Sequence, residues 1–250
     1  MADPRALFDL SGRVALVTGA SSGLGRRAAT VLAAAGARVI AVARREAHLR
    51  DWLAETPGDH RVMALDVTDR TTVADLPRRL DLSPDIVVHA AGLNLRQAAD
   101  AVTSEGWDAT VAVNLTAPFM LSRALVPAMK ARGWGRIVNF ASLQSFRAFP
   151  GGIAYGATKG GVAQITRAMA EAWSGCGVTA NAIGPGFFPT ELTAPVFNDP
   201  ERAARNAAQT CIGRNGRMED LDGPLLFLCS EASGYVTGQV LMVDGGFTAK

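Results

Sequence analysis

Short runs of β-branched and aliphatic residues alternate along this chain with longer stretches whose apolar positions recur at helical spacing. The runs at 13–17, 38–43, 62–65, 85–89, 136–141, 178–183 and 239–243 predict seven strands. Between them the periodicity predicts a helix over 23–35 closed by Gly36, one over 45–54 ending before Pro57, and a short one ending near Pro77. A further helical stretch runs from Ser104 to Met129 with interruptions expected around Pro118 and Pro127, and a long helix covers 153–173. Strands that are apolar at nearly every position must be covered on both faces, as in a parallel sheet. Right-handed β-α-β crossovers then predict a single α/β domain over 1–250. Its expected architecture is one doubly wound, Rossmann-type parallel seven-stranded sheet with helices on both faces.

Composition narrows the partners. With 250 residues, 48% of them hydrophobic, the chain supports a core that needs no disulfide or metal. The balance of 25 Lys+Arg against 23 Asp+Glu, with the basic residues scattered, gives no footprint for nucleic acid or an anionic membrane. Cys176, Cys211 and Cys229 form no C-x-x-C pair, which points to a reducing compartment and no metal site. The residues after Met1 lack the apolar segment of a signal peptide. The longest uncharged run, 172–190, carries Gly175, Gly177, Gly184, Pro185, Gly186 and Pro189, which would break a spanning helix. A soluble, cytoplasmic protein with a small-molecule partner is expected.

The first strand runs straight into Thr18-Gly19-Ala20-Ser21-Ser22-Gly23-Leu24-Gly25, which opens a helix. Glycine there allows backbone torsions and close approaches that a Cβ would block, so a pyrophosphate can lie against the helix N-terminus. Gly19, Ser21, Ser22, Gly23, Leu24 and Gly25 are therefore candidate cofactor-binding residues. An acidic residue at the end of the second strand would hold the ribose hydroxyls of NAD. Here that strand ends in Ala43-Arg44-Arg45, with no carboxylate before Glu46. Two guanidinium forks suit a 2′-phosphate, so NADP(H) is the expected cofactor and NAD(H) a possible one; otherwise both arginines are solvated at a helix start. Asp66, after the third strand, is placed to accept from an adenine amino group or to serve as a turn residue, with Val67 beside it.

Tyr155 and Lys159 stand four apart on the long helix and share a face. An ammonium beside a phenol stabilises the phenolate and lowers its pKa, which suits proton transfer at a carbonyl or alcohol. Ser142, at the end of the fifth strand, lies at the carboxyl edge where such sheets bind ligands.

Taken together, the glycine loop at 18–25, Asn114 in Val-Asn-Leu, Ser142, Tyr155-x-x-x-Lys159, Pro185-Gly186 and Val243-Asp244-Gly245-Gly246 resemble the short-chain dehydrogenase/reductase family over nearly the whole chain. Within it the chain is similar to gluconate 5-dehydrogenase-like members, through Gly92-Leu93-Asn94-Leu95-Arg96-Gln97 and the stretch from Asn181 to Phe188. The resemblance implies Tyr155 as general acid/base, Lys159 as ligand of the nicotinamide ribose, Ser142 as the group orienting the carbonyl, and Asn114 as holder of a proton-relaying water. Ala91, Gly92, Pro185, Gly186, Phe188 and Thr190 would approach the cofactor, and a homotetramer is implied. Two departures stand out. His89 replaces the usual asparagine after the fourth strand and is expected to be structural, and Ala43 with Arg44 replaces the aspartate of NAD-preferring members.

Asn94, Arg96, Gln144, Arg147 and Phe187, with a flap over 187–215, are candidate substrate residues. Polar and cationic, they suit a hydroxylated anion such as a sugar acid, since arginine binds carboxylate in a bidentate way. Alternatively, Arg96 and Arg147 pair with Asp100 or Glu105 on the surface, and Phe187, Phe188 and Phe197 line an apolar tunnel. A polyol or aldonate dehydrogenase is the expected activity. A 3-oxoacyl thioester reductase, a reductase of other small ketones and a cofactor-binding sensor without turnover are the competing readings.

Overall fold

The computed structural model describes residues 3–250. Seven strands, β1 (Val14–Thr18), β2 (Arg38–Ala43), β3 (Arg61–Ala64), β4 (Ile86–His89), β5 (Gly135–Phe140), β6 (Val178–Pro185) and β7 (Val240–Val243), form one sheet. Its order is β3-β2-β1-β4-β5-β6-β7 and every pairing is parallel. The chain builds outward from β1 through β2 to β3, then returns to place β4 on the other side of β1. The point of reversal, at the carboxyl ends of β1 and β4, is where such sheets open a crevice.

The helices are α1 (Gly23–Ala34), α2 (Glu46–Glu55), α3 (Arg70–Arg79), α4 (Ser104–Val111), α5 (Ala117–Arg132), α6 (Ile153–Trp173), α7 (Ala194–Phe197), α8 (Pro200–Gln209) and α9 (Asp222–Cys229). Alternate strand residues face opposite layers, as the period of two requires. Ala15, Val17, Val39 and Val88 pack with Leu32 of α1, Trp52 of α2 and Leu225 of α9. Leu16, Ile40, Val42 and Val87 pack with Leu76 of α3, Leu125 of α5 and Met169 of α6. Strands buried on both sides explain the unbroken apolar runs in the sequence.

The expected interruption around Pro118 is a π-helical turn at Ala112–Thr116, which joins α4 to α5 just before that proline and carries the buried Asn114. Pro127 makes no break: it sits inside α5, which continues to Arg132. The short helix α3 ends at Arg79, close to Pro77 as expected. The stretch Ser104–Arg132, rather than 172–190, is long and apolar enough to span a membrane by length and composition. Its buried face, including Leu121, Leu125 and Met129, packs on the sheet as a core helix does.

Candidate active site

A cleft of about 920 Å³ opens at the carboxyl edge of β1, β4, β5 and β6. Every candidate cofactor residue lines it, as do Ser142, Tyr155, Lys159, Asn94, Arg96, Gln144 and Phe187. Asn114 and Arg147 do not.

The glycine loop presses against the turn after β4. Gly19 has φ +70°, and a Cβ there would stand 2.7 Å from the backbone of Ala90 and Ala91. Only glycine fits both the torsion and the gap. Thr18 Oγ1 accepts from Ala90 N at 3.2 Å and from Ala91 N at 3.3 Å, fixing the two walls of the cradle. His89, where the family's asparagine would be, lies fully buried with Nε2 2.8 Å from Ser122 Oγ. Burial pushes its pKa down to about 3, so it stays neutral and structural.

The two arginines after β2 part company. Arg45 spends its fork on the protein: Nη2 and Nη1 donate to Glu191 at 2.9 and 3.1 Å, and Nη2 also reaches Ser22 Oγ at 2.7 Å. Arg44 is exposed and, among the described residues, has no carboxylate partner. Its charge helps, after the Thr68 hydrogen bonds, to hold the Asp66 carboxyl below the usual range. One free cation, not two, thus faces the cleft where a 2′-phosphate would lie. The closely approached glycine loop and this free guanidinium fit a phosphorylated dinucleotide.

At the other end, β5 delivers Ser142 and α6 delivers Tyr155 and Lys159. Ser145 Oγ donates to the Lys159 carbonyl at 2.7 Å, and Ser142 N donates to Ser145 Oγ at 3.3 Å, which locks the serine loop onto α6. Lys159 Nζ is buried 5.6 Å from the Tyr155 ring centre and donates to the Phe140 carbonyl at 2.5 Å. Burial pulls its pKa down to about 8. Lys159 does not depress the Tyr155 phenol as expected. Burial pushes the phenol up from its ordinary value, opposed by the Ser142 hydroxyl and the Arg96 guanidinium, while the ammonium is turned to Phe140.

Asn114 holds its amide on the protein. Nδ2 donates to the Leu93 carbonyl at 2.8 Å and to Thr158 Oγ1 at 3.1 Å, and Oδ1 accepts from Leu93 N at 2.8 Å. It therefore clamps the turn after β4 onto α6.

Of the substrate candidates, Arg96 stands out. Its φ of +53° is the only positive value among the described non-glycine residues, and its Nη2 donates to the Leu192 carbonyl at 2.8 Å. A non-glycine residue held in that region marks a constraint set by its surroundings. No described carboxylate pairs with it, so the surface pairing with Asp100 or Glu105 is not found. Arg147 points away: it donates to the Phe247 carbonyl at 3.1 Å and lies 5.4 Å over the Phe247 ring, which withdraws it from substrate. Nor do the flap phenylalanines share a tunnel. Phe187 and Phe188 both border the cleft, Phe187 packed at 5.8 Å against Phe247 and Phe188 almost wholly buried, while Phe197 lines an open groove beside α1 that adjoins the cleft at Ser22 and Glu191.

Sequence reasoning passed over Glu191, Arg202 and Asn206, which also line the cleft. The last two lie on α8, and periodicity does not say which polar face of a surface helix turns toward a crevice.

Comparison with known proteins follows the same lines. A profile of the family described as enoyl-(acyl carrier protein) reductase matches residues 19–248. A gluconate 5-dehydrogenase of Gluconobacter oxydans is 40% identical over 248 residues, 97% of each chain. A 3-oxoacyl-[acyl-carrier-protein] reductase of Thermotoga maritima is 34% identical over 244 residues, covering 95% of this chain and 98% of the other. A solved gluconate 5-dehydrogenase from Burkholderia cenocepacia, in complex with NADP and tartrate, superposes with a TM-score of 0.92 at 36% identity over 98% of both chains. The fold, the cleft and these relatives place the chain in the short-chain dehydrogenase/reductase family, the NAD(P)-dependent oxidoreductases acting on CH–OH groups.

Proposed function

We propose that this protein interconverts a secondary alcohol and a ketone on a polyol or sugar acid such as gluconate and 5-ketogluconate, with NADP(H) preferred over NAD(H). The observation that carries this reading is one cleft holding the unpaired Arg44 at its cofactor end and Ser142, Tyr155, Lys159 and Arg96 at its substrate end. Relatives named for gluconate, one of them solved with NADP and a dicarboxylate, support it. When bound, the nicotinamide supplies or takes the hydride.

The chain's own residues handle the rest. Tyr155 Oη gives its proton to the developing alkoxide or takes one from the alcohol. Ser142 Oγ, with its lone pair toward Gln144 N at 3.1 Å, orients the substrate oxygen beside it. Lys159 would hold the nicotinamide ribose, and its ammonium, 5.6 Å from the Tyr155 ring centre, would bring charge to the phenol. Asn114, whose amide is committed to Leu93 and Thr158, holds the turn after β4 against α6 behind these groups. Arg96 and Gln144 receive the substrate's carboxylate and hydroxyls, and Gln144 Oε1 is buried without a partner within the fold. A single domain carries both sites, with 187–215 as its substrate flap. The free thiols of Cys176, Cys211 and Cys229 accord with the cytoplasm, and the family with a homotetramer, which light scattering checks.

The test is NADPH consumption with 5-ketogluconate and, in parallel, an acetoacetyl thioester, with NADH as control. Preference for the keto acid is expected. Preference for the thioester moves the chain to acyl reduction, and activity with NADH alone removes the role given to Arg44. Arg96→Ala should raise KM about 10- to 100-fold for the acid, the worth of a lost charge-assisted hydrogen bond, and under about threefold for a neutral polyol. Equal changes for both would remove the carboxylate contact.

A further inference from the structure

Two adjacent residues of the flap are pinned to opposite ends of the cleft. Glu191 takes both terminal nitrogens of Arg45 at 2.9 and 3.1 Å and accepts from Ser22 Oγ at 3.1 Å. The next residue, Leu192, gives its carbonyl to Arg96 at 2.8 Å. Just before them, Thr190 lies so close to the phosphate loop that a Cβ on Gly23 would stand 3.2 Å from it. The turn Glu191–Thr193 is itself tied by a capping box from Thr190, so it moves as a unit. All four anchors, Ser22, Arg45, Arg96 and Glu191, line the same cleft.

We infer that Arg45, Ser22 and Glu191 form a strap that closes the flap over the phosphate loop, and that this strap, not recognition of the 2′-phosphate, is the function of Arg45. The inference rests on the cofactor reading above for where the dinucleotide lies, but the strap itself is made by the protein's own side chains. Arg45 has committed its fork to side chains of the protein, whereas its neighbour Arg44 has not. The two consecutive arginines therefore divide their work: Arg44 reads the phosphate that distinguishes NADP from NAD, and Arg45 sets how readily either dinucleotide escapes. The ion pair is partly exposed, Arg45 at 43% and Glu191 at 61%, so its worth is that of a surface pair reinforced by the hydroxyls of Ser21 and Ser22. It is strong enough to bias a flap and weak enough to open on each turnover.

The experiment compares wild type, Glu191→Gln and Arg44→Ala by limited trypsin digestion of the ligand-free protein and by stopped-flow release of NADPH and NADH. Glu191→Gln should speed flap cleavage after Arg202 or Arg205 and raise both release rates by about three- to fivefold, with the preference for NADP over NAD held within about twofold. Arg44→Ala should reduce that preference by about tenfold or more and leave flap cleavage at the wild-type rate. A Glu191→Gln protein that binds NADP more tightly with NAD unchanged would make Glu191 a competitor for the phosphate, which overturns the strap. Unchanged cleavage in the ligand-free protein overturns it as well, whatever the cofactor does. Absence of dinucleotide binding by wild type would instead refute the proposed function, while the digestion still decides the strap.

Discussion

Tyr155→Phe is expected to lower kcat/KM by about 10²- to 10⁴-fold while leaving the dinucleotide's affinity within a few-fold of wild type. Phenylalanine keeps the ring that α6 presents to the cleft and removes only the oxygen that moves the proton. The sign of the pH response follows from the environment. Burial raises the Tyr155 pKa, so the phenol is protonated at neutral pH and ready to donate. Ketone reduction should therefore hold steady through neutral pH and fall only in alkali, whereas alcohol oxidation, which needs the phenolate, should rise as the pH climbs. Steady-state rates in both directions across this range check the assignment. A phenylalanine variant that keeps a tenth or more of wild-type kcat/KM would exclude Tyr155 as the acid.

Lys159→Met should reduce kcat by about 10²-fold or more, because the buried cation is the one group on α6 able to pull the phenol pKa back down. It should also change how stability depends on pH. The folded pKa of Lys159 lies at about 8 against 10.5 for the free side chain. Below the lower value both states carry the proton, and the folded state bears a buried cation. Between about 8 and 10.5 the unfolded chain binds more protons than the folded one, so stability gains as pH rises through that window. The methionine variant lacks this gain. The thermal midpoint of the ligand-free wild type, measured relative to the variant, should accordingly rise between pH 7 and pH 10 by a few degrees. A constant difference across that range would mean that Lys159 is not the desolvated cation the geometry describes.

The parts of this protein that were legible in its sequence are those written in local pattern. The seven strands read clearly because each is covered twice and so runs apolar without alternation. The glycine loop read clearly because torsion and close approach at Gly19 leave one residue type. Tyr155 and Lys159 were visible because four residues on a helix is a fixed geometry. What escaped depends on contacts far apart in the chain. Nothing near Arg96 or Arg147 tells that the first meets Leu192 across the cleft and the second lies over Phe247. Nothing near Arg45 shows that Glu191, almost 150 residues away, will occupy its fork. Pro118 marked an interruption in the helix but not its form: the π turn carries Asn114, whose amide is bonded to Leu93 and Thr158, both distant in the chain.

The seam between β1 and β4 bears on how the protein is made. Val14 N donates to Asp85 across 71 residues, and the phosphate loop leans on Ala90 and Ala91 through Thr18. Loop closure over such a span is slow compared with forming a helix. A nascent chain that has emerged only through β3 possesses the glycine loop but not the wall behind it. The dinucleotide therefore cannot act as a template for the amino-terminal half during synthesis. Its binding should appear abruptly once β4 has inserted beside β1, so ligand capture by chains stalled at successive lengths would report the moment at which the two halves of the sheet join.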